Sequence, residues 1–274
     1  MTVTRTVRAR GSTGPPPTIS RSGRCRSAST SCEERDAGQR DRAGAYAAFG
    51  RADADVTHSQ SDGSSIIAGD TSFDAVSLGG YWTRTGPEGW YVDGVLQLTW
   101  YDVKMSSHRG VGNGNTDGWG LAASVEGGYP YALRDGWVVE PQGQLVYQTF
   151  DFDDFDDAAA KVSYSDTDSL AGRLGARLAR SWEQGTETAP RPAAAWARVN
   201  VWQEFLANPT TTFSAFGGSV PFTGSLDDTW AEIEVGADMK ATEAWSFYGD
   251  LSYQVTFDGE ADSFGAEVGA KWRW

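Results

Sequence analysis

The most regular feature of the chain is an alternation of apolar and polar residues with a period of two. In residues 90–101 (WYVDGVLQLTWY), the even positions carry Trp, Val, Gly, Leu, Leu and Trp, whereas the odd positions carry Tyr, Asp, Val, Gln, Thr and Tyr. Such a period places the two sets on opposite faces of a β-strand. The apolar face is about long enough to cross a bilayer when tilted, and its terminal Trp residues suit the two membrane interfaces.

Ten segments with this pattern follow one another from residue 44 onward. They are residues 44–56, 73–85, 90–101, 119–129, 137–147, 170–178, 195–205, 231–239, 245–255 and 264–274. The connections between them alternate in length: the long ones are 56–70, 106–115, 151–166 and 208–228, and the short ones lie near 86–88, 132–135, 183–192 and 240–243. Transmembrane barrels have long outer loops and short periplasmic turns, whereas a soluble β-sandwich follows no such rule. The sequence therefore predicts an all-β fold, an antiparallel up-and-down transmembrane β-barrel of about ten strands.

The polar face of these strands is predicted to line a hydrated lumen, because a basic residue on the lipid face costs about 2–4 kcal/mol at the bilayer midplane. The predicted lumen-facing residues are Glu126, Glu140, Gln142, Arg173, Arg177, Arg198, Glu204, Glu232, Glu234, Asp250, Glu267, Lys271 and Arg273. Acids and bases are mixed in this set, which favours charge pairs across the pore. We expect most of them to form a solvated wall; contact with a threaded segment is the alternative role.

Tryptophan marks the ends of several predicted strands. The predicted membrane-interface aromatics are Trp90, Trp100, Trp119, Trp137, Trp245 and Trp272. The last predicted strand ends on Trp274, although the ends of soluble chains tend to fray. A terminal aromatic on an amphipathic strand resembles the signal by which the outer-membrane assembly machinery recognises its clients, and Trp274 is the predicted assembly signal.

Charge and composition divide the chain into two parts. The formal net charge is -14, which provides no basic surface for nucleic acid. Residues 1–42 nevertheless contain nine Arg, both cysteines (Cys25 and Cys32) and almost no large apolar side chains. Such a segment buries too little surface to offset its ordering entropy, so we predict that residues 1–42 are disordered. They also lack the apolar stretch of a signal peptide. The predicted barrel domain is residues 43–274.

The candidate chemistry is sparse. The chain has no G-x-S-x-G, no phosphate-binding loop and no metal-binding His pair, and its two histidines, His58 and His108, fall in predicted outer loops. Asp53, Asp55 and Asp62 lie near His58 in sequence, which keeps a ten-stranded outer-membrane protease as an alternative. The acidic run at 151–157 (DFDDFDD) lacks the spacing of a calcium loop. We predict no enzymatic activity, cofactor or metal; a small porin or adhesin complete at ten strands is the second alternative.

Six stretches, taken in order, resemble the C-terminal β-domain of the autotransporter (type Va secretion) family. They are AGAYAAFGRADADV at 43–56, SLGGYWTRTGPEGWYVDGVLQLTWYDV at 77–103, VVEPQGQLVYQ at 138–148, LAGRLGARLAR at 170–180, WARVNVWQEF at 196–205 and FGAEVGAKWRW at 264–274. The resemblance implies a twelve-stranded barrel in the outer membrane of a Gram-negative bacterium, which anchors an N-terminal passenger and helps to export it. A helix would pass through the pore. The implied partners are outer-membrane lipid, the barrel assembly machinery, periplasmic chaperones and the passenger.

The chain departs from this family at its beginning. Ten strands are predicted instead of twelve, and the Arg- and Ser-rich residues 1–42 stand where the first two strands, the pore helix and the passenger belong. Our hypothesis is that residues 1–42 arise from a frame shift or a wrong start, and that the true reading frame resumes near residues 33–41. The expected result is a fragment that lacks its passenger and first strands, with two unpaired edges.

Overall fold

The computed structural model describes residues 4–9, 18–35, 38–59, 65–108, 113–156, 160–165, 167–186, 189–206, 210–215, 218–223, 229–259 and 261–272. The strands in these ranges are β1 (Thr4–Ala9), β2 (Thr18–Arg35), β3 (Gln39–Ser59), β4 (Ser65–Thr85), β5 (Tyr91–Ser107), β6 (Gly114–Gly128), β7 (Tyr131–Ala132), β8 (Trp137–Phe152), β9 (Phe155–Asp156), β10 (Lys161–Tyr164), β11 (Thr167–Thr186), β12 (Ala189–Glu204), β13 (Thr210–Ala215), β14 (Gly218–Thr223), β15 (Thr229–Lys240), β16 (Trp245–Thr256) and β17 (Ala261–Trp272). A 3-10 turn covers Arg134–Gly136. Within these ranges, no helix has the length and apolar character needed to cross a membrane.

Twelve of the described strands close into an antiparallel ring. Its order follows the chain, β1, β2, β3, β4, β5, β6, β8, β11, β12, β15, β16 and β17, and the last strand pairs with the first. Every strand of the ring therefore has two neighbours. This arrangement satisfies the backbone N–H and C=O groups within the sheet, which a wall surrounded by hydrocarbon requires.

The structure contains two ring strands more than the sequence predicts. The ten predicted segments fall on the ring strands from β3 to β17, which confirms the barrel class. The additional strands, β1 and β2, come from residues 1–42, for which disorder was predicted, and the expected boundary at residue 43 lies inside β3. Disorder was inferred from side-chain composition, whereas pairing uses the backbone alone. β2 pairs with β3 from Ile19↔Ala54 to Arg35↔Gln39, and β1 bonds to β17, so both edges are covered.

Loop lengths differ on the two sides of the ring, as the alternation of connections predicts. The short side carries the connections from β2 to β3, β4 to β5, β6 to β8, β11 to β12 and β15 to β16. The two longest connections, from β8 to β11 and from β12 to β15, lie on the other side. Some predicted loops are instead strand: β3 and β4 pair up to Ser59↔Ser65, and β11 pairs with β12 up to Thr186↔Ala189. Antiparallel pairing does not depend on lipid, so the strands extend beyond the amphipathic segments.

The two longest connections form a second sheet of four strands in the order β14, β13, β10, β9. We call it the loop sheet. Antiparallel pairing of β10 with β13, from Lys161↔Ser214 to Tyr164↔Thr211, joins the two connections to each other.

The distribution of exposed side chains is the inverse of that in a soluble protein. Large apolar residues such as Leu174, Leu96 and Val268 are exposed on the outer face of the ring, whereas Arg173 and Asn200 are buried. Lipid replaces water as the solvent of the outer face, so the apolar side chains need no internal core.

Candidate functional site

The inner wall, by which we mean the inward side chains of the ring, is where the structure concentrates buried polar groups. Arg173 and Leu174 are neighbours on β11, yet Arg173 is 3% exposed and Leu174 is 75% exposed. This contrast follows from strand geometry, since consecutive side chains point to opposite faces. Pairing then brings inward residues from neighbouring strands side by side, although they are far apart in sequence.

A first network joins β5, β6, β8 and β11. Arg173 Nη2 forms an ion pair with Glu126 Oε2 at 2.8 Å, although its geometry is too poor for a hydrogen bond. The Tyr91 hydroxyl donates to Glu126 and accepts from Gln142 Nε2 at 3.0 Å, and Gln142 also donates to Glu140 at 2.6 Å. Four of the predicted lumen-facing residues are thus linked through Tyr91, a residue type that gave no functional signal in the sequence.

A second network joins β12, β15 and β16. Arg198 Nη2 contacts Glu234 Oε2 at 2.5 Å, and its Nη1 reaches Gln142 at 3.5 Å, which connects the two networks. Glu232 accepts hydrogen bonds from Asn200 Nδ2 and Trp202 Nε1, both at 2.9 Å, and from Gln254. Asn200, Trp202 and Gln254 were not among the predicted site residues, although the alternation places them on the polar face.

Glu204 has a different environment from the other predicted lumen-facing acids. Its carboxylate accepts hydrogen bonds from Ser169 Oγ at 2.7 Å and from the backbone N–H groups of Leu170, Phe205 and Leu206 at 2.8, 3.1 and 3.2 Å. These donors lie at the start of β11 and the end of β12. Glu204 therefore ties two strand ends together at the outer mouth.

The remaining predicted lumen-facing residues are less enclosed. Arg177 lies over the Trp196 ring at 5.3 Å, and Lys271 lies over the Tyr248 ring at 5.5 Å. The Tyr248 hydroxyl donates to Glu267 at 3.5 Å. Asp250 pairs with Glu267 across β16 and β17. Arg273 and the predicted assembly signal Trp274 lie outside the described residues.

Five of the six predicted interface aromatics are exposed on the outer face of the ring, namely Trp100, Trp119, Trp137, Trp245 and Trp272. Trp100 pairs with Trp119 toward the long loops, whereas Trp245 pairs and stacks with Trp272 at the short-turn end. The other, Trp90, is half-buried against Gly86, where an added Cβ would overlap its ring.

His108 is the only one of the two histidines whose side chain the structure describes. Its Nε2 lies 3.2 Å from Asp70 Oδ1, and the Ser106 hydroxyl donates to the other oxygen of Asp70. The Ser106 hydrogen bond has the largest effect and lowers the pKa of Asp70; desolvation opposes it, and contact with His108 lowers the pKa further. The Asp70 carboxylate therefore lies between the Ser106 hydroxyl and the His108 ring. In this arrangement the ring does not take the hydroxyl proton, a transfer that a nucleophilic serine would require.

The described residues do not support the alternative functions, an outer-membrane protease and a ten-stranded porin or adhesin. Asp62 and the side chains of His58 and Asp55 lie outside them, and the ring has twelve strands, not the ten of the protease and porin alternatives. Over the same ranges, no group of three or more His, Cys, Asp or Glu side chains is arranged to hold a metal ion. In the acidic run, Asp154 instead pairs with Lys161 at 2.9 Å.

Comparison with known proteins agrees with this architecture. The family model of the autotransporter beta-domain matches residues 33–252. The adhesin BmaC autotransporter of Brucella suis is 30% identical over 203 residues, which are 70% of this chain and 6% of that protein. The transport unit of AIDA-I from Escherichia coli superposes with a TM-score of 0.81 at 16% identity, covering 100% of this chain and 88% of that one. The beta domain of Bordetella BrkA gives 0.74 at 20% identity, with coverage of 100% and 98%.

Proposed function

Because this chain belongs to the autotransporter family through its beta-domain, we propose that it anchors an N-terminal passenger in the outer membrane and helps to translocate it to the cell surface. The observation that carries this proposal is the closed ring with an apolar outer face and a charged inner wall. The chain spans only a small part of the length of the curated relatives it matches, 6% of BmaC, so the passenger and its activity are not specified here.

In this proposal the inner wall is the lining of the export route. Two of its enclosed bases pair with acids, Arg173 with Glu126 and Arg198 with Glu234. Glu204 and Glu232 instead accept hydrogen bonds from neutral donors. A polypeptide in transit then meets a wetted wall whose enclosed charged groups already have partners within the wall, and strong binding of the passenger is avoided. The role assigned to the domain is transport and anchoring, without catalysis.

The proposed partners follow from the faces of the ring. Lipid covers the outer face, and the Trp residues near both ends anchor it at the interfaces. We assign delivery and insertion of the barrel to periplasmic chaperones and the barrel assembly machinery, with Trp274 as the recognition signal.

The proposal is tested by fusing a cleavable signal peptide and a reporter passenger ahead of Met1 and expressing the fusion in a Gram-negative host. The expected result is a heat-modifiable band in the outer-membrane fraction and a reporter that external protease digests in intact cells. A matched control carries Trp274→Ser and is expected to reach the membrane poorly. A folded outer-membrane barrel whose reporter stays in the periplasm would contradict translocation, and a soluble chain would contradict the barrel itself.

We further propose that residues 1–42 are the product of a frame shift. The family match beginning at residue 33 supports this, since the original frame was expected to resume near residues 33–41. Resequencing the locus and translating the DNA upstream of codon 43 in all three frames is the test. Two amphipathic strands, a helix and a passenger in another frame are expected; a confirmed frame with nothing barrel-like beside it would overturn the proposal.

A further inference from the structure

The loop sheet has one apolar and one polar face. Phe155 of β9 pairs with Val162 of β10, and Tyr164 lies two residues further along the same strand, so all three side chains share a face. Lys161 points the other way, where its ammonium contacts Asp154 at 2.9 Å. A fully solvated surface loop does not require apolar and polar side chains to be segregated on opposite faces.

The apolar face packs on the inner wall at the outer mouth of the ring. The seat consists of inward residues of β5 and β8, namely Tyr101, Val103, Met105, Phe150 and Phe152. The Tyr101 and Phe152 ring centroids are 5.7 Å apart, and the Phe152 and Tyr164 centroids are 6.1 Å apart. The Tyr164 hydroxyl also reaches the Met105 sulfur at 3.9 Å. A continuous row of rings thus connects the wall to the loop sheet.

Glycines in β6 make room for this packing. An added Cβ at Gly114 would overlap the Phe155 ring, and one at Gly118 would overlap the Phe152 ring. At Gly120 it would lie 2.9 Å from the Phe150 ring. The rings therefore lie directly on the backbone of β6, and the glycines permit this close contact between ring and backbone.

Burial separates this cluster from the rest of the described chain. Val103 and Val162 are each 3% exposed, and the other buried apolar residues in the described ranges are alanines. Most exposed large apolar side chains of the ring lie on its outer face, whereas Val103 and Val162 are enclosed at the mouth. Among the described residues, one backbone hydrogen bond between the connection and the ring runs from Asp153 N to Asp117 O at 2.9 Å. Side-chain packing of Tyr164 and Phe155 adds to this tie.

We propose that the loop sheet is a gate, docked on the inner wall at the outer mouth, which covers part of the exit and lifts off its aromatic seat when a polypeptide leaves. This inference rests on the proposed export function, because a gate presupposes a route. It assigns the row from Tyr101 to Phe155 a role that a simple barrel wall does not need.

The test measures access to the seat in the folded, full-length barrel reconstituted in lipid. Val103→Cys is treated with a charged maleimide, and adducts are quantified by peptide mass spectrometry, which distinguishes them from adducts at Cys25 and Cys32. We expect slow labelling of Val103→Cys alone and labelling at least tenfold faster after Val162→Asp or Tyr164→Ser. Ser214→Asp is the matched control, because it places the same charge beside Lys161 on the polar face and is expected to change nothing.

Heat-modifiable migration establishes that each variant is folded, and Tyr164→Ser provides the measurement if Val162→Asp does not fold. Equal labelling rates with and without the apolar-face substitutions would overturn the gate. So would fast labelling of Val103→Cys in the otherwise unchanged chain. If the reporter fusion is displayed normally while labelling shows no gate, only the gate fails; if no variant forms an outer-membrane barrel, the proposed function fails.

Discussion

At the scale of single residues, Gly79 and Gly80 are neighbours on β4 with opposite tolerances. The Tyr46 ring lies over Gly79, so an added Cβ would overlap it, whereas the nearest atom to a Cβ at Gly80 is 3.7 Å away. We expect Gly79→Ala to destabilise the barrel by about 1–3 kcal/mol, the usual cost of overpacking. The Tyr46 hydroxyl would also lose its 2.8 Å hydrogen bond to Gln97.

The measurement for this pair is the temperature at which folded and unfolded bands interconvert on a gel. Gly80→Ala is the control and is expected to behave like the unchanged chain, since its added methyl faces lipid. Equal loss in both variants would mean that backbone flexibility matters here and the Tyr46 contact does not.

Arg173 supports a second prediction, because it is the most buried charge on the inner wall. Arg173→Met leaves Glu126 without its ion-pair partner, which costs about 3–5 kcal/mol when a buried pair is broken. Arg177→Met is the control, and it removes the contact with the Trp196 ring, worth about 1 kcal/mol. Guanidinium unfolding of the barrel in detergent measures both. Adding Glu126→Gln to Arg173→Met is expected to recover part of the loss; no recovery would contradict the pair.

The inward direction of Arg173 and Glu232 could be predicted from the sequence, since it requires only a period of two. The partners of these two residues could not be predicted, because the register between neighbouring strands decides which side chains meet. Glu204 illustrates this: it has the same pattern as Glu232, yet it binds backbone N–H groups at two strand ends. The importance of Tyr91 was hidden for the same reason, because tyrosine occurs on both faces of the wall.

At the scale of the element, the two faces of a strand should respond oppositely to charge. Leu174→Arg places a guanidinium in hydrocarbon, and we expect a loss of about 2–4 kcal/mol. Ser124→Arg introduces the same side chain on the inner face of β6 and is expected to cost much less. Unfolding by denaturant in lipid vesicles gives both values. Equal costs would contradict the assignment of outer and inner faces.

The hairpin of β9 and β10 should depend on pH through Asp154 and Lys161. The Lys161 hydrogen bond, followed by one from Ser163, lowers the pKa of Asp154, and Asp154 raises the pKa of Lys161. The lowered pKa of Asp154 stabilises the hairpin at pH values above about 3.9, the ordinary pKa of an Asp side chain. This stabilisation is lost as pH falls through the lowered pKa. The raised pKa of Lys161 stabilises the hairpin at pH values below about 10.4, the ordinary pKa of a Lys side chain. This stabilisation is lost as pH rises through the raised pKa.

Hydrogen exchange at Val162 and Tyr164, corrected for the intrinsic rate, is therefore expected to be constant near neutral pH and faster at both extremes. Both side chains are solvent-exposed, so about 1 M salt should weaken the effect. Asp154→Asn is the control and is expected to flatten the acid limb. An unchanged acid limb in that variant would show that another group titrates.

At the scale of the whole molecule, ring closure was the feature that sequence reasoning missed. The ten amphipathic segments could be predicted because each carries its own apolar face. β1 and β2 could not be predicted in this way, because their side chains show no apolar alternation. Their pairing depends instead on the free edges of β3 and β17. Closure is thus a property of the assembled sheet, and no single segment contains it.

Deleting residues 1–35 tests how much closure contributes. The remaining ten strands would have two unpaired edges, each exposing backbone groups that cost several kcal/mol apiece in hydrocarbon. We expect the heat-modifiable band to disappear. Replacing residues 18–35 with an alternating apolar and polar strand of equal length should preserve or strengthen it. A folded band from the deletion variant would instead establish a ten-stranded closure.

An even number of strands has a consequence for how often the barrel can act. β1 begins on the same side of the membrane as β17 ends, the side of the short turns. A passenger joined ahead of β1 and displayed on the other side must leave a connecting segment inside the ring, at least about nine extended residues to span the hydrocarbon. Cargo and conduit are then one covalent molecule. Under the proposed function, export by such a barrel is stoichiometric, with one chain delivered per barrel and the route occupied afterwards by its own tether.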